Sequence, residues 1–214
     1  MSGLILVTGA ADASLPPPSL GRSVDIGLVS GIVIVTPPNG HSFKLGTNDR
    51  NIPIGSLIDT TRGRVDLRAA PPPNPGVGTT ATAVRVEDAE FYGGAFRVTQ
   101  SVTNPIAQIR LVGGTVSACT RAGGQLMPHR TLPHKLVRLL HASGSGQFRT
   151  VGHYSAATVV GTKWLTEDFC DGTLVRVSRG VVVVEDLATR ATVTVHAGHS
   201  VFTPAPAAAA AAPH

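Results

Sequence analysis

Charge is scarce in this 214-residue chain: Asp, Glu, Lys and Arg together make up 14% of it, against about 25% in an ordinary globular domain. Apolar residues reach 42% and the mean hydropathy is +0.18, so the composition is not that of a disordered chain, which combines low hydrophobicity with high charge. Aromatic residues are scarcer still, at 4% with a single Trp. That excludes the basic groove with interleaved stacking platforms of single-strand nucleic-acid binders. The net charge of +5 does not restore such a footprint, because the arginines are spaced singly from Arg22 to Arg190 with no basic run. No nucleic-acid partner is expected. Long hydrophobic runs are missing as well; a stretch such as Val181 to Val184 falls far short of the roughly 20 residues a membrane span needs. What the chain has in quantity is Gly and Pro, 24 and 16 residues, which leave no uninterrupted window for a helical bundle. The composition selects an all-β protein of short strands.

Between residues 22 and 203 the dominant signal is alternation with a period of two, the mark of strands with one face inward. Arg64-Val65-Asp66-Leu67-Arg68 sets two apolar side chains against three charged ones, and Val84-Arg85-Val86-Glu87, Phe96-Arg97-Val98, Ile109-Arg110-Leu111 and Leu174-Val175-Arg176-Val177 repeat the pattern. The runs Gly31 to Val35 and Gly180 to Val184 are apolar at every position and read as central strands covered from both sides. Pro37-Pro38-Asn39-Gly40 and Asp171-Gly172 are turn signals, and Ala142-Ser143-Gly144-Ser145-Gly146 reads as a flexible turn. Leu132 to Ala142 is the one segment that a helix could claim, and it reads as a strand. A sandwich, a barrel or a short solenoid accommodates this set of strands and turns.

The two ends differ from this middle. Residues 1–21 hold one aliphatic strand, Leu4-Ile5-Leu6-Val7, on a tether that ends in Pro16-Pro17-Pro18. Four consecutive large aliphatics are costly to leave in water, at about 1.5 to 3 kcal/mol for each side chain. Leu4 to Val7 is therefore expected to pair with a sheet edge, in its own chain or in a neighbouring molecule. Residues 204–214 form a Pro- and Ala-rich tail, of which Ala205 to His214 is expected to be mobile and without stabilising contacts.

The order of segments from Tyr154 to Val201 resembles the second half of the FecR domain: Ser155 to Trp164 with its Gly161-Thr162, then Asp171-Gly172-Thr173, Val175-Arg176-Val177, Gly180 to Val183 and Ala197-Gly198-His199. The preceding part, with Ile52-Pro53-Ile54-Gly55-Ser56, Gly63 to Leu67 and Phe91-Tyr92-Gly93-Gly94, is similar to uncharacterised secreted actinobacterial proteins. FecR proteins relay a signal by way of a cytoplasmic segment and a membrane span ahead of the β domain, neither of which this sequence shows. The resemblance therefore implies an exported β domain, extracellular or at the cell surface, that binds or assembles. In that setting Cys119 and Cys170, the only cysteines, are expected to form a disulfide in preference to two buried thiols.

The sequence carries no local pattern of catalytic residues. No Gly-x-Ser-x-Gly elbow occurs. The acids Glu87, Asp88, Glu90, Glu167 and Asp168 read as solvated charges, and the two groups of histidines, His129, His134 and His141, and His196 with His199, read as surface residues, not zinc ligands. The expectation is a non-enzyme with no cofactor and no bound metal, acting as a structural or assembly subunit, a homo-oligomer or filament. The alternative is a module that binds a cell-wall glycan or a protein, for which Tyr92, Tyr154 and Trp164 are the candidate contact residues.

Overall fold

The computed structural model describes residues 15–73, 86–114, 119 and 134–206. Within these, thirteen strands join one hydrogen-bonded network. They are β1 (Ser23–Thr36), β2 (Phe43–Lys44), β3 (Arg50–Pro53), β4 (Leu57–Ala69), β5 (Glu87–Tyr92), β6 (Ala95–Thr99), β7 (Ala107–Val112), β8 (Leu136–Val151), β9 (Ser155–Phe169), β10 (Gly172–Arg179), β11 (Val181–Asp186), β12 (Thr192–His196) and β13 (Ser200–Pro204). The all-β class read from composition is the class of the structure. Among the described residues no helix is long and apolar enough to cross a membrane.

At the centre is a closed ring. β4 pairs with β5, β5 with β8, β8 with β7, β7 with β6, and β6 returns to β4. All these pairings are antiparallel except β7 with β8, which is parallel. The ring is filled by Phe91, Phe96, Phe148 and their aliphatic neighbours, all buried. Phe91 stands in the middle, with ring centroids 5.1 Å from Phe96, 5.7 Å from Phe148 and 6.4 Å from Trp164.

Four strands are longer than the expected short pieces: β1, β4, β8 and β9 have 14, 13, 16 and 15 residues. Each changes neighbours partway along. β4 pairs with β6 through Leu57 to Asp59 and with β5 through Arg64 to Ala69; β9 pairs with β11 through its first third and with β10 through its last half. The four long strands thereby belong to two layers, β3-β1-β4-β5-β8-β9-β10-β13 and β2-β1-β4-β6-β7-β8-β9-β11-β12, with one apolar core between them. Glycine permits the bends. Gly31, at φ 74°, faces Gly63 across β1 and β4, and a Cβ on Gly63 would lie 2.6 Å from the Ile32 carbonyl oxygen. A side chain at this crossing would push the two strands apart.

Several expectations need correction. Ala142 to Gly146 is not a turn but the middle of β8, where the register shifts between Gly144 and Gln147. There a Cβ on Gly144 would meet the Ala89 Cβ at 2.4 Å, so the glycines serve close strand approach and not a reversal of the chain. The valines of β11 are not covered on both sides, because Val182 and Val184 are buried while Val181 and Val183 face outward. The Val84-Arg85-Val86-Glu87 strand starts at Glu87, leaving Val86 exposed, and the inward positions are Ala89 and Phe91; residues 84 and 85 lie outside the described residues. Leu136 to Ala142 forms a strand as expected. Leu4 to Val7 and residues 207–214 lie outside the described residues, but the tail is not free from its first residue, since the Ala205 amide donates to the Asp171 carbonyl at 2.7 Å.

Candidate functional site

The outer face of β4, β5 and β8 carries the densest group of polar side chains. Alternation along β4 puts Val65 and Leu67 in the core and turns Arg64, Asp66 and Arg68 outward, while β5 does the same with Ala89 and Phe91 inside and Asp88, Glu90 and Tyr92 outside. The register joins the two sets, pairing Arg64 with Tyr92, Asp66 with Glu90 and Arg68 with Asp88. Tyr92 pairs in turn with His141 of β8. Its ring is stacked on the His141 imidazole at 4.6 Å and 3°, and the Arg64 guanidinium lies 4.0 Å from its centroid. Arg64 Nη1 also donates to Glu90 Oε2 at 2.9 Å. Burial holds the His141 imidazole below its ordinary pKa, against the pull of Glu167.

Beside this stack is a group of carboxylates bound by one arginine. Arg68 donates to Asp49 and lies 3.1 Å from Asp66 Oδ2 through Nε. Burial, together with a hydrogen bond to Asp88 and the nearby charges of Asp88 and Glu90, pushes Asp66 up to about 7, and the charge of Arg68 only partly offsets this. Two carboxyls that share a proton can act as acid and base; among the described residues no group of His, Cys, Asp and Glu is placed to hold a metal ion.

The raised value fixes a pH dependence. A carboxyl whose folded pKa exceeds its unfolded one favours the native state while it is protonated, so its contribution is complete below the ordinary carboxyl range near pH 4 and is lost as the pH rises through about 7. Wild-type protein is therefore expected to lose stability between pH 5 and 8, and Asp66→Asn, which keeps a donor towards Asp88, to lose about 2 kcal/mol less. Urea midpoints of both proteins at pH 5 and pH 8 measure it. Equal losses would remove the protonated pair.

The disulfide forms the second candidate region. Cys119 and Cys170 are bonded, with their Cα atoms 5.3 Å apart. Cys170 and Asp171 are the two turn residues of the β9–β10 hairpin. The Cys170 amide donates to the Lys135 carbonyl at 3.0 Å, and the Tyr154 hydroxyl donates to the Cys170 carbonyl at 3.3 Å. His134 stacks on Phe169 at 4.2 Å and lies 3.0 Å from Asp171 through Nδ1. Beneath them Asp168, 2% exposed, accepts from Arg138 Nε at 2.7 Å, the His153 amide at 2.9 Å and Thr173 Oγ1 at 2.5 Å. Asp168 is thus a buried organiser of the hairpin and not the solvated charge read from the sequence.

The three aromatic candidates do not converge. Trp164, 2% exposed, is a core residue whose indole Nε1 donates to Thr150 Oγ1 at 3.1 Å, which corrects its expected place in a binding groove. It shares the inner face with Phe91, whereas Tyr92 points outward. Tyr92 has one ring face on His141 and the other under Arg64, so neither is open to stack on a sugar. Tyr154 is half-buried against the disulfide hairpin, with His153 packed at its edge 4.4 Å away. The sequence reading missed Arg64, Asp66, Asp88 and His141 as one cluster. The alternation of Arg64 to Arg68 did carry the signal, but its partners across the sheet are set by a register that the sequence does not print.

No protein-family model, no curated protein and no solved structure matches the chain.

Proposed function

We propose that this chain is a FecR-like β domain that acts outside the cytoplasm as a non-catalytic assembly subunit, joined to its neighbours through the N-terminal strand Leu4 to Val7. The observation that carries the reading is the pair of open ends. Among the described residues the sheet closes on itself only at the central ring, and β2 and β3 at one end, and β12 and β13 at the other, each pair on one side alone. Open edges are usually blunted because they recruit further strands, and here two lie at opposite ends of one molecule.

Other features support the reading. The disulfide suits an oxidising compartment. The segments that resemble FecR fall on structural boundaries: Asp171-Gly172 at the β9–β10 turn, Gly180 at the head of β11, Ala197-Gly198 in the turn before β13. The charged side chains of the outer face are paired with one another, as in Arg64 with Glu90 and Arg68 with Asp49, an arrangement that suits a stable surface better than a substrate site.

Size-exclusion chromatography with light scattering tests it. The purified chain should give a mass of several subunits that rises with concentration. A mass that stays at one subunit at every concentration would end the assembly reading.

A further inference from the structure

The structure narrows where the N-terminal strand can go. Leu15 to Arg22 is already placed: Pro16, Pro17, Ser19 and Arg22 line a shallow pocket together with Asn51 and Pro53 of β3, and the Ile54 amide donates to the Arg22 carbonyl at 2.9 Å. The tether to Leu4-Ile5-Leu6-Val7 is therefore the seven residues Thr8 to Ser14, which reach roughly 25 Å fully extended. It starts at the β3 end of the molecule. The β12 edge is seven strand spacings away through β1, β4, β5, β8, β9 and β11, about 34 Å along the sheet. The β3 edge of its own chain is thus the near one for this strand, and the β12 edge lies at the other end of the pairing order.

The chemistry of the two edges differs. β3 is Arg50-Asn51-Ile52-Pro53, with an arginine, an asparagine that bonds Asp25 at 2.7 Å, and a proline that has no amide to give. β12 is Thr192-Val193-Thr194-Val195-His196, with neither charged carboxylate nor lysine nor proline. Its backbone pairs with β11 alone among the described residues. Next to this edge the core side is apolar and uncovered, while the outer side of β12 itself carries Thr192, Thr194 and His196, with exposed valines one strand further in. On the core side Val193 is 45% exposed, and on the outer side Val160, Val181 and Val183 are 64%, 43% and 42% exposed, lying together because Val182 pairs with Val159. Leu4-Ile5-Leu6-Val7 would set alternate side chains on the core side, beside Val193, and the others on the outer side, beside Thr192 and Thr194 of β12, with the valine strip of β11 and β9 one strand further in.

We infer that the free edge of β12 accepts Leu4 to Val7 of a second copy of this chain, which continues the β11–β12 layer by one strand. The inference rests on the assembly reading above and adds the acceptor. Donor and acceptor surfaces are different and lie at opposite ends, so the contact repeats head to tail and gives a ring or an open filament.

The test uses the full chain with single cysteines introduced in two separate proteins. One carries Ile5→Cys or Leu6→Cys, the other Thr194→Cys; a third, Ser200→Cys, places the probe on the β13 edge instead. Pairs are mixed, oxidised mildly and read by mass on a non-reducing gel, with light scattering of each variant in parallel. A dimer-mass product from the Thr194→Cys mixture, at least tenfold more abundant than from the Ser200→Cys mixture, is the expected result. Assembly by light scattering with cross-linking to Ser200→Cys, or to neither, overturns the β12 acceptor and leaves the assembly reading standing. A double variant, Ile5→Cys with Thr194→Cys, that closes within one chain at high dilution overturns exchange between molecules. Absence of assembly in every variant and in the wild type overturns both.

Discussion

Replacing Phe91 by alanine is expected to destabilise the fold by about 4 kcal/mol, because a fully buried phenylalanine loses its transfer energy and leaves a cavity that rigid neighbours cannot fill. Phe91 has no solvent exposure and touches Phe96, Phe148 and Trp164, which come from β6, β8 and β9. Phe96 and Phe148 cannot move inward without dragging a strand of the closed ring, nor Trp164 without dragging β9, which is paired to it along β8, so collapse into the void is restricted. Its aromatic contacts add to the loss, at roughly 0.5 to 1.5 kcal/mol for each well-placed pair. The melting temperature should fall by about 12 °C. Phe91→Leu, which keeps most of the volume, should cost under about 1.5 kcal/mol. If the alanine variant melts within 3 °C of the wild type, the ring is not the centre of stability.

Removing the disulfide through Cys119→Ser with Cys170→Ser should cost a similar amount by a different route. The bond closes a separation of 51 residues, which in the chain-entropy account is worth about 4 kcal/mol through restriction of the unfolded state. The closed loop holds β8 and β9, the pair with the most extensive register in the molecule, so the native contacts should survive while the urea midpoint falls. Treating wild-type protein with reductant should reproduce the shift. A double variant with an unchanged midpoint would mean that the bond closes on a chain already restrained without it.

The sequence carried the fold class and much of the inward pattern. Val65 and Leu67, Phe96 and Val98, Ile109 and Leu111, Val175 and Val177 are buried where alternation places them. It failed where a residue type has two structural meanings. Gly144 read as part of a turn, yet it lies inside a strand, as Gly31 and Gly63 do, where two backbones cross too closely for a side chain. The all-valine run of β11 read as doubly covered, yet its outer valines face an edge. At the outer polar face the residue types were visible and the geometry was not. Asp66 and Asp88 are 22 positions apart in sequence and meet because β4 and β5 pair in one register, which the ring, and not either strand, determines.

The four bent strands have a consequence for how force and fluctuation pass through the molecule. In a sandwich whose strands each belong to one sheet, the sheets can slide or peel apart by breaking only side-chain contacts. Here β1, β4, β8 and β9 continue by covalent backbone from one layer into the other, so the layers cannot separate unless ladder hydrogen bonds on both sides of each bend break as well. Among the described residues opening costs the fewest hydrogen bonds at β2, β3, β12 and β13, which pair on one side, and a load applied between the first strand and the last must cross every ladder from β1 through β4, β5, β8, β9 and β10 to β13.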